Sequence, residues 1–283
     1  MLKLPWRQQL LSQLGLIVVA AFVLVPIWGT VYVAFDASVQ GRPTTFQVWP
    51  QKFSLEIFQR MWTKPAQSLS FLSLLQNSLI VAGSAALLAV ALGASMAYAF
   101  ARFRFPGRQL GLFALWVGAL LPPVALMTPL YILLTALKIR ATLWALIFVY
   151  AAFAMPFCVW NMRAAFQSVS KELEESAFLD GATHWMAFFT ITLPLALPAI
   201  AIAALIAFLI GYSEFAMGWL FVEKSDTVTL AMAITALLSR DNVNASWSNV
   251  AALAIMLSLP IIVIFIFVQR TLLNGWLVGA TED

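Results

Sequence analysis

Long apolar runs dominate the chain, separated by short polar stretches. A helix that crosses a membrane needs ~20 largely apolar residues. Six stretches reach that length, at 10–35, 76–101, 109–136, 142–163, 190–222 and 249–270. Apolar positions are continuous within each run rather than alternating. That predicts helices and argues against a membrane barrel. The first run is longer than the ~7–15 residues of a signal-peptide core, so it is expected to be a retained span. Polar segments lie at 36–75, 164–189 and 223–248 and after Arg270. None could hold a catalytic domain of about 100 residues. The expectation is one all-α transmembrane domain over 1–283.

Composition supports the same class. Hydrophobic residues make up 63% of the 283 residues and charged residues only 10%, against about a quarter charged in an ordinary soluble domain. The polar side chains needed to coat a water-soluble enzyme are missing. Lys3 and Arg7 precede the first run and Asp36 follows it, so the N-terminus is expected to be cytoplasmic. Arg102, Arg104 and Arg108, between the second and third runs, then fall on the cytoplasmic side. Counted in full, Lys and Arg divide evenly between the two sides, so orientation rests on the first helix and that short loop. Six spans return the C-terminus to the cytoplasm.

Several chemistries are excluded. No Gly is followed by Lys anywhere, so there is no phosphate-binding P-loop. The single cysteine, Cys158, permits no internal disulfide, and the single histidine, His184, no paired-histidine metal site. No metal site and no catalytic residue are expected. Ion-coupled carriers bury several ionisable groups. Here the one intramembrane acid is Glu214, toward the end of the fifth run, where it serves either transport or an interfacial hydrogen-bonding role.

The stretch 170–194 carries the most information. Ser170 can cap a helix whose first turns hold Glu172, Glu174 and Glu175, where acids suit the helix dipole. Gly181 permits the left-handed turn that ends it. Thr183 can cap a second short helix containing Trp185, Phe188 and Phe189, and Pro194 and Pro198 follow at the mouth of the fifth span. Two short helices at a bend outside the bilayer form either a docking knob or an ordinary interfacial helix pair.

These residues resemble a known signature. The loop of ABC-importer permeases reads E-A-A-x-x-x-G-x(9)-I-x-L-P. This chain has Glu175, Ser176 and Ala177, three residues, Gly181, nine residues, then Ile191, Thr192, Leu193 and Pro194. Every spacing matches, and Ser176 for Ala is a small-for-small change. The resemblance covers nearly the whole chain and is to the carbohydrate-uptake, MalG-like branch. Supporting stretches are NSLIV at 77–81, AYAFARFRFPGR at 97–108, PLYI at 129–132, KELEE at 171–175, DGAT at 180–183 and QRTLLNGWLVGA at 269–280.

The resemblance implies the type I importer fold and six spans in a prokaryotic inner membrane. It implies a second, different permease, two copies of an ATPase and an external sugar-binding protein as partners. The substrate would be a sugar of the oligo- or disaccharide class. ATP and Mg would sit on the ATPase, with no cofactor on this chain. The ATPase-coupling set would be Glu174, Glu175, Ser176, Ala177, Asp180, Gly181, Ala182, Ile191, Leu193 and Pro194, with Glu175 meeting a basic residue of the ATPase. The tail after Asn274 resembles a segment that inserts between the ATPase subunits. Asp241, Asn242, Asn244 and Trp247 lie in a polar stretch tipped by an aromatic, which forms either a contact with the binding protein or an unoccupied solvent loop. The competing classes are a self-contained secondary transporter, which needs ion-coupling groups and usually paired repeats, and an intramembrane enzyme, for which only Glu214 and Cys158 are eligible.

Overall fold

The computed structural model describes residues 5–39, 41–65, 69–239 and 247–279. Among them the secondary structure is helical, with no strand beyond an isolated bridge between Asp36 and Phe53. The helices are α1 (Trp6–Phe35), α2 (Glu56–Thr63), α3 (Phe71–Arg102), α4 (Arg108–Leu120), α5 (Pro123–Ala136), α6 (Leu143–Ser168), α7 (Lys171–Leu179), α8 (His184–Ala187), α9 (Leu193–Leu195), α10 (Leu197–Ser213), α11 (Ala216–Phe221), α12 (Leu230–Ser239) and α13 (Trp247–Gly279).

Among the described residues four helices, α1, α3, α6 and α13, are long and apolar enough to cross a membrane alone. Two bent pairs bring the number to six if each is one span: α4 with α5, bent by 103°, and the helical stretch 184–195 with α10, bent by 79°. The first bend has a local cause. Leu121 and Pro122 are extended, and Pro123 opens α5, where its missing N–H costs nothing. The continuous run at 109–136 is therefore two helices. The run at 190–222 is also corrected: α10 covers only 197–213, and Glu214 takes an extended conformation that stops it. The segment 223–248, expected to be a polar loop, holds the apolar helix α12, whose Leu230, Ala231, Met232 and Ala233 are buried.

The chain divides into two compact units, 1–71 with 234–258, and 72–233 with 259–283. In the first, α1 buries only Tyr32, Val33 and Ala34. Its remaining apolar surface would be untenable in water and calls for lipid or protein around it. The connection after α1 is pinned by Asp36, which is closed off from solvent. Its carboxylate accepts from the Ser38 amide (2.9 Å) and hydroxyl (2.6 Å) and from the amides of Gln51 (2.8 Å) and Lys52 (3.1 Å). The Ser248 hydroxyl donates to its carbonyl at 2.9 Å. Around it, Phe35 stacks on Phe53, and Trp28 donates to the Val48 carbonyl at 2.9 Å.

In the second unit α6 is the central helix, packed along α10 and α4. Small residues set the spacing, as is usual where helices associate without a hydrophobic driving force. A Cβ on Gly93 would lie 3.0 Å from Cβ of Cys158, and one on Gly211 3.2 Å from Cα of Ala82. At Gly211 the neighbouring backbone itself comes close, and at Gly93 the Cys158 side chain fills the space a larger residue would need.

Candidate functional site in the 170–194 loop

The loop is built from local signals. The Ser170 hydroxyl accepts from the Glu172 amide at 3.3 Å and starts α7, with Glu172 and Glu174 in its first turn. At the other end the Gly181 amide donates to the Phe178 carbonyl (3.0 Å) and the Ala182 amide to the Ala177 carbonyl (2.9 Å). Gly181 has φ +89°. This paired arrangement is a Schellman cap, and it needs a left-handed residue at that place. Thr183 then accepts from the Met186 amide at 3.3 Å to start α8. After α8 the chain widens into a π turn over Phe188–Thr192, and Ala196 breaks the helix before α10.

Two consecutive acids of α7 have different surroundings. Glu174 is buried, and its Oε1 lies 3.0 Å from Arg102 Nε, each side chain only 6% exposed. The Thr192 hydroxyl donates to the same oxygen. Arg102, the last residue of α3, also donates from Nη2 to the Val169 carbonyl at 2.9 Å. Arg102 thus joins the end of α3, the residue after α6, α7 and the π turn. Glu175 is exposed and makes no ion pair among the described residues.

Beneath α8 lies an aromatic layer. Tyr98 packs on Phe188 at 4.7 Å, and Phe166 meets Phe188 edge-on at 6.0 Å. The His184 ring stands edge-on to Phe178 (4.7 Å) of α7 and to Phe103 (5.2 Å), the residue after α3. The outer face is exposed at Glu175, Ser176, Asp180, Gly181 and Pro194, and half-exposed at Ala177, Ala182, Ile191 and Leu193. It also carries large apolar groups: Leu179 is 90% exposed and Trp185 66%. Small residues, an acid without an ion pair and exposed apolar side chains thus share the outer side of a braced loop. Among the described residues no group of His, Cys, Asp and Glu could hold a metal ion.

Sequence reasoning placed Glu174 with Glu175 on the coupling surface, whereas the fold turns Glu174 inward. It assigned no role to Thr192 or Leu179 and did not connect Arg102 with the loop. Arg102 was legible only as a loop charge, because its partner is 72 residues away. Glu214 accepts from the Tyr150 hydroxyl (2.6 Å) and from the amides of Met217 (3.0 Å) and Gly218 (3.3 Å). Both oxygens thereby cap α11. Trp247 opens α13 and is half-buried. Asp241, Asn242 and Asn244, and the tail from residue 280, lie outside the described residues.

Residues 44–274 match the family described as "Binding-protein-dependent transport system inner membrane component". The chain is 30% identical over 291 residues to the maltose/maltodextrin transport system permease protein MalG of Salmonella typhimurium, covering 96% of this chain and 95% of that one. It is 35% identical over 214 residues to MalG of Escherichia coli, covering 74% and 71%, and 30% identical over 241 residues to the probable ABC transporter permease protein YurM of Bacillus subtilis, covering 82% and 80%. The fold superposes with a TM-score of 0.75, at 18% identity, on a chain of a bacterial ABC transporter that imports the acidic polysaccharide alginate, covering 95% of this chain and 99% of that one. The chain belongs to the binding-protein-dependent transport system inner membrane component family, as a permease with the type I ABC-importer fold.

Proposed function

We propose that this chain is one of two different permease subunits of an ATP-driven sugar importer. A separate ATPase dimer docks on the 170–194 loop, and an external binding protein delivers an oligo- or disaccharide of the maltose or trehalose type. Both termini and the loop lie in the cytoplasm, and 36–75 and 223–248 outside. ATP and Mg belong to the ATPase, and this chain supplies no hydrolytic site.

The observation that carries this reading is the outer face of α7. An exposed carboxylate, Glu175, stands beside small residues and the 90% exposed Leu179, on a loop anchored from within by Glu174 and Arg102. Leu173, Trp185, Met186 and Phe189 of the same loop are exposed as well, and a group of exposed apolar side chains, unlike a lone one, suits a partner's cleft. Relatives named as maltose permeases support the sugar class. A capping Glu214, occupied on both oxygens, offers little to an ion-coupled carrier.

The test is reconstitution. The chain alone in proteoliposomes is expected to hydrolyse no ATP and import no maltose or trehalose. Together with its ATPase, second permease and binding protein it is expected to do both. Uptake by the lone chain overturns the reading.

A further inference from the structure

We propose that Arg102 and Glu174 form a rigid joint, a pair of positioning residues that makes the loop and the end of α3 move as one body. The inference rests on the docking role proposed above and adds how force leaves the docked helix.

Four pieces of chain converge on this pair. Arg102 ends α3; its Nε meets Glu174 of α7 at 3.0 Å and its Nη2 meets the carbonyl of Val169, just after α6, at 2.9 Å. Thr192, in the π turn that leads to α10, donates to the same Glu174 oxygen. A guanidinium is a planar fork, so two bonds from different nitrogens fix its orientation as well as its position. Both side chains are only 6% exposed, so water and salt screen the pair weakly. A loop held only by its chain connections could swing alone when a partner pushes on it. Here α7 cannot shift against α3 without stranding a buried charge, which is strongly unfavourable. A displacement applied at Glu175 and Leu179 is therefore delivered to α3 and, through Thr192, to the base of α10. Neither Glu175 nor Leu179 takes part in the joint's hydrogen bonds.

The experiment uses the full complex in proteoliposomes, with Cys158 replaced by Ser and spin labels on Lys171→Cys in α7 and Leu92→Cys in α3. With Arg102 and Glu174 intact, the distance between the labels is expected to be the same without nucleotide and in the vanadate-trapped state. In Arg102→Gln and in Glu174→Gln a second distance population is expected, and stimulation of ATPase by the binding protein should fall about fivefold or more. The double variant should be no worse than either single one, because both remove the same joint. A nucleotide-dependent distance with the pair intact overturns the proposal, as does an unchanged distance in both single variants. If those variants do not assemble, Arg102→Lys and Thr192→Val are read in the same assay, and a distance and stimulation equal to those of the intact pair in both overturn it. Failure of the ATPase to co-purify with the wild-type chain would instead sink the docking role itself.

Discussion

Glu174 and Glu175 are neighbours on α7, yet Glu174 lies buried 3.0 Å from the Arg102 guanidinium while Glu175 stands exposed. One residue of helix turns the side chain by about 100°. That one-residue step therefore sends one acid inward to hold the helix and leaves the next facing outward.

The two acids should respond differently to truncation. Glu174→Ala leaves Arg102 buried without its carboxylate and is expected to cost about 3–5 kcal/mol. Glu175→Ala removes an exposed group and should change stability by no more than about 0.5 kcal/mol. Thermal unfolding of the detergent-solubilised complex checks this, and equal effects would contradict the division of roles.

At Gly181 the expectation is conformational. No atom lies within 4 Å of a Cβ placed there, and φ is +89°. The cost of substitution therefore comes from the left-handed backbone, about 1–2 kcal/mol for an ordinary residue. Asn should be tolerated best, Ala less and the β-branched Val least. Binding-protein-stimulated ATPase activity across the three variants should follow that order. An order set by side-chain size alone, with Asn worse than Ala, would contradict it.

Asp36 gives a pH dependence. Burial pushes its pKa up, but hydrogen bonds from the Ser38 side chain and from the Gln51, Ser38 and Lys52 amides outweigh burial and hold it below the usual carboxylate range. A folded-state pKa below the unfolded one adds stability above the unfolded value of about 3.9, lost as pH falls through the folded value. Hydrogen exchange at 36–54 should be pH-insensitive in protection above about pH 5 and lose protection below about pH 4. In Asp36→Asn that acid step should disappear. Protection that improves on acidification would reverse the sign and reject the assignment.

The helix crossings make a packing prediction. A side chain on Gly211 would meet the backbone of Ala82 at 3.2 Å, whereas Gly83 has nothing within 4 Å. Gly211→Val is expected to destabilise by about 1–3 kcal/mol through overpacking, and Gly83→Val by clearly less. Detergent melting curves of the two variants compare them directly.

The parts of this structure written in local chemistry were readable from the sequence. Ser170, Gly181 and Thr183 act within a few residues of themselves, so spacing alone predicts the caps that are found. Long apolar runs likewise announce α1, α3, α6 and α13. Hydropathy cannot see where a run bends. The breaks at Leu121 and Ala196 divide stretches that are apolar on both sides, so they read as continuous. Prolines 122, 123 and 129 mark a bend in the third run but not its 103° angle. Pairings over long separations were also hidden. Arg102 with Glu174 and Tyr150 with Glu214 join residues 72 and 64 positions apart, and nothing in either local stretch names the other.

The central claim is that the 170–194 loop couples ATP hydrolysis to transport. The most direct measurement is binding-protein-stimulated sugar uptake and ATPase activity in proteoliposomes, at matched assembly, for the wild type, Glu175→Ala and Gly181→Val. A charge-assisted pair sheltered from water contributes about 1.5–3 kcal/mol, so losing it should weaken docking by about tenfold to a hundredfold. Glu175→Ala should therefore reduce both activities and Gly181→Val should reduce them further, with both proteins still inserted in the membrane. Wild-type uptake and wild-type ATPase activity in both variants would contradict the account.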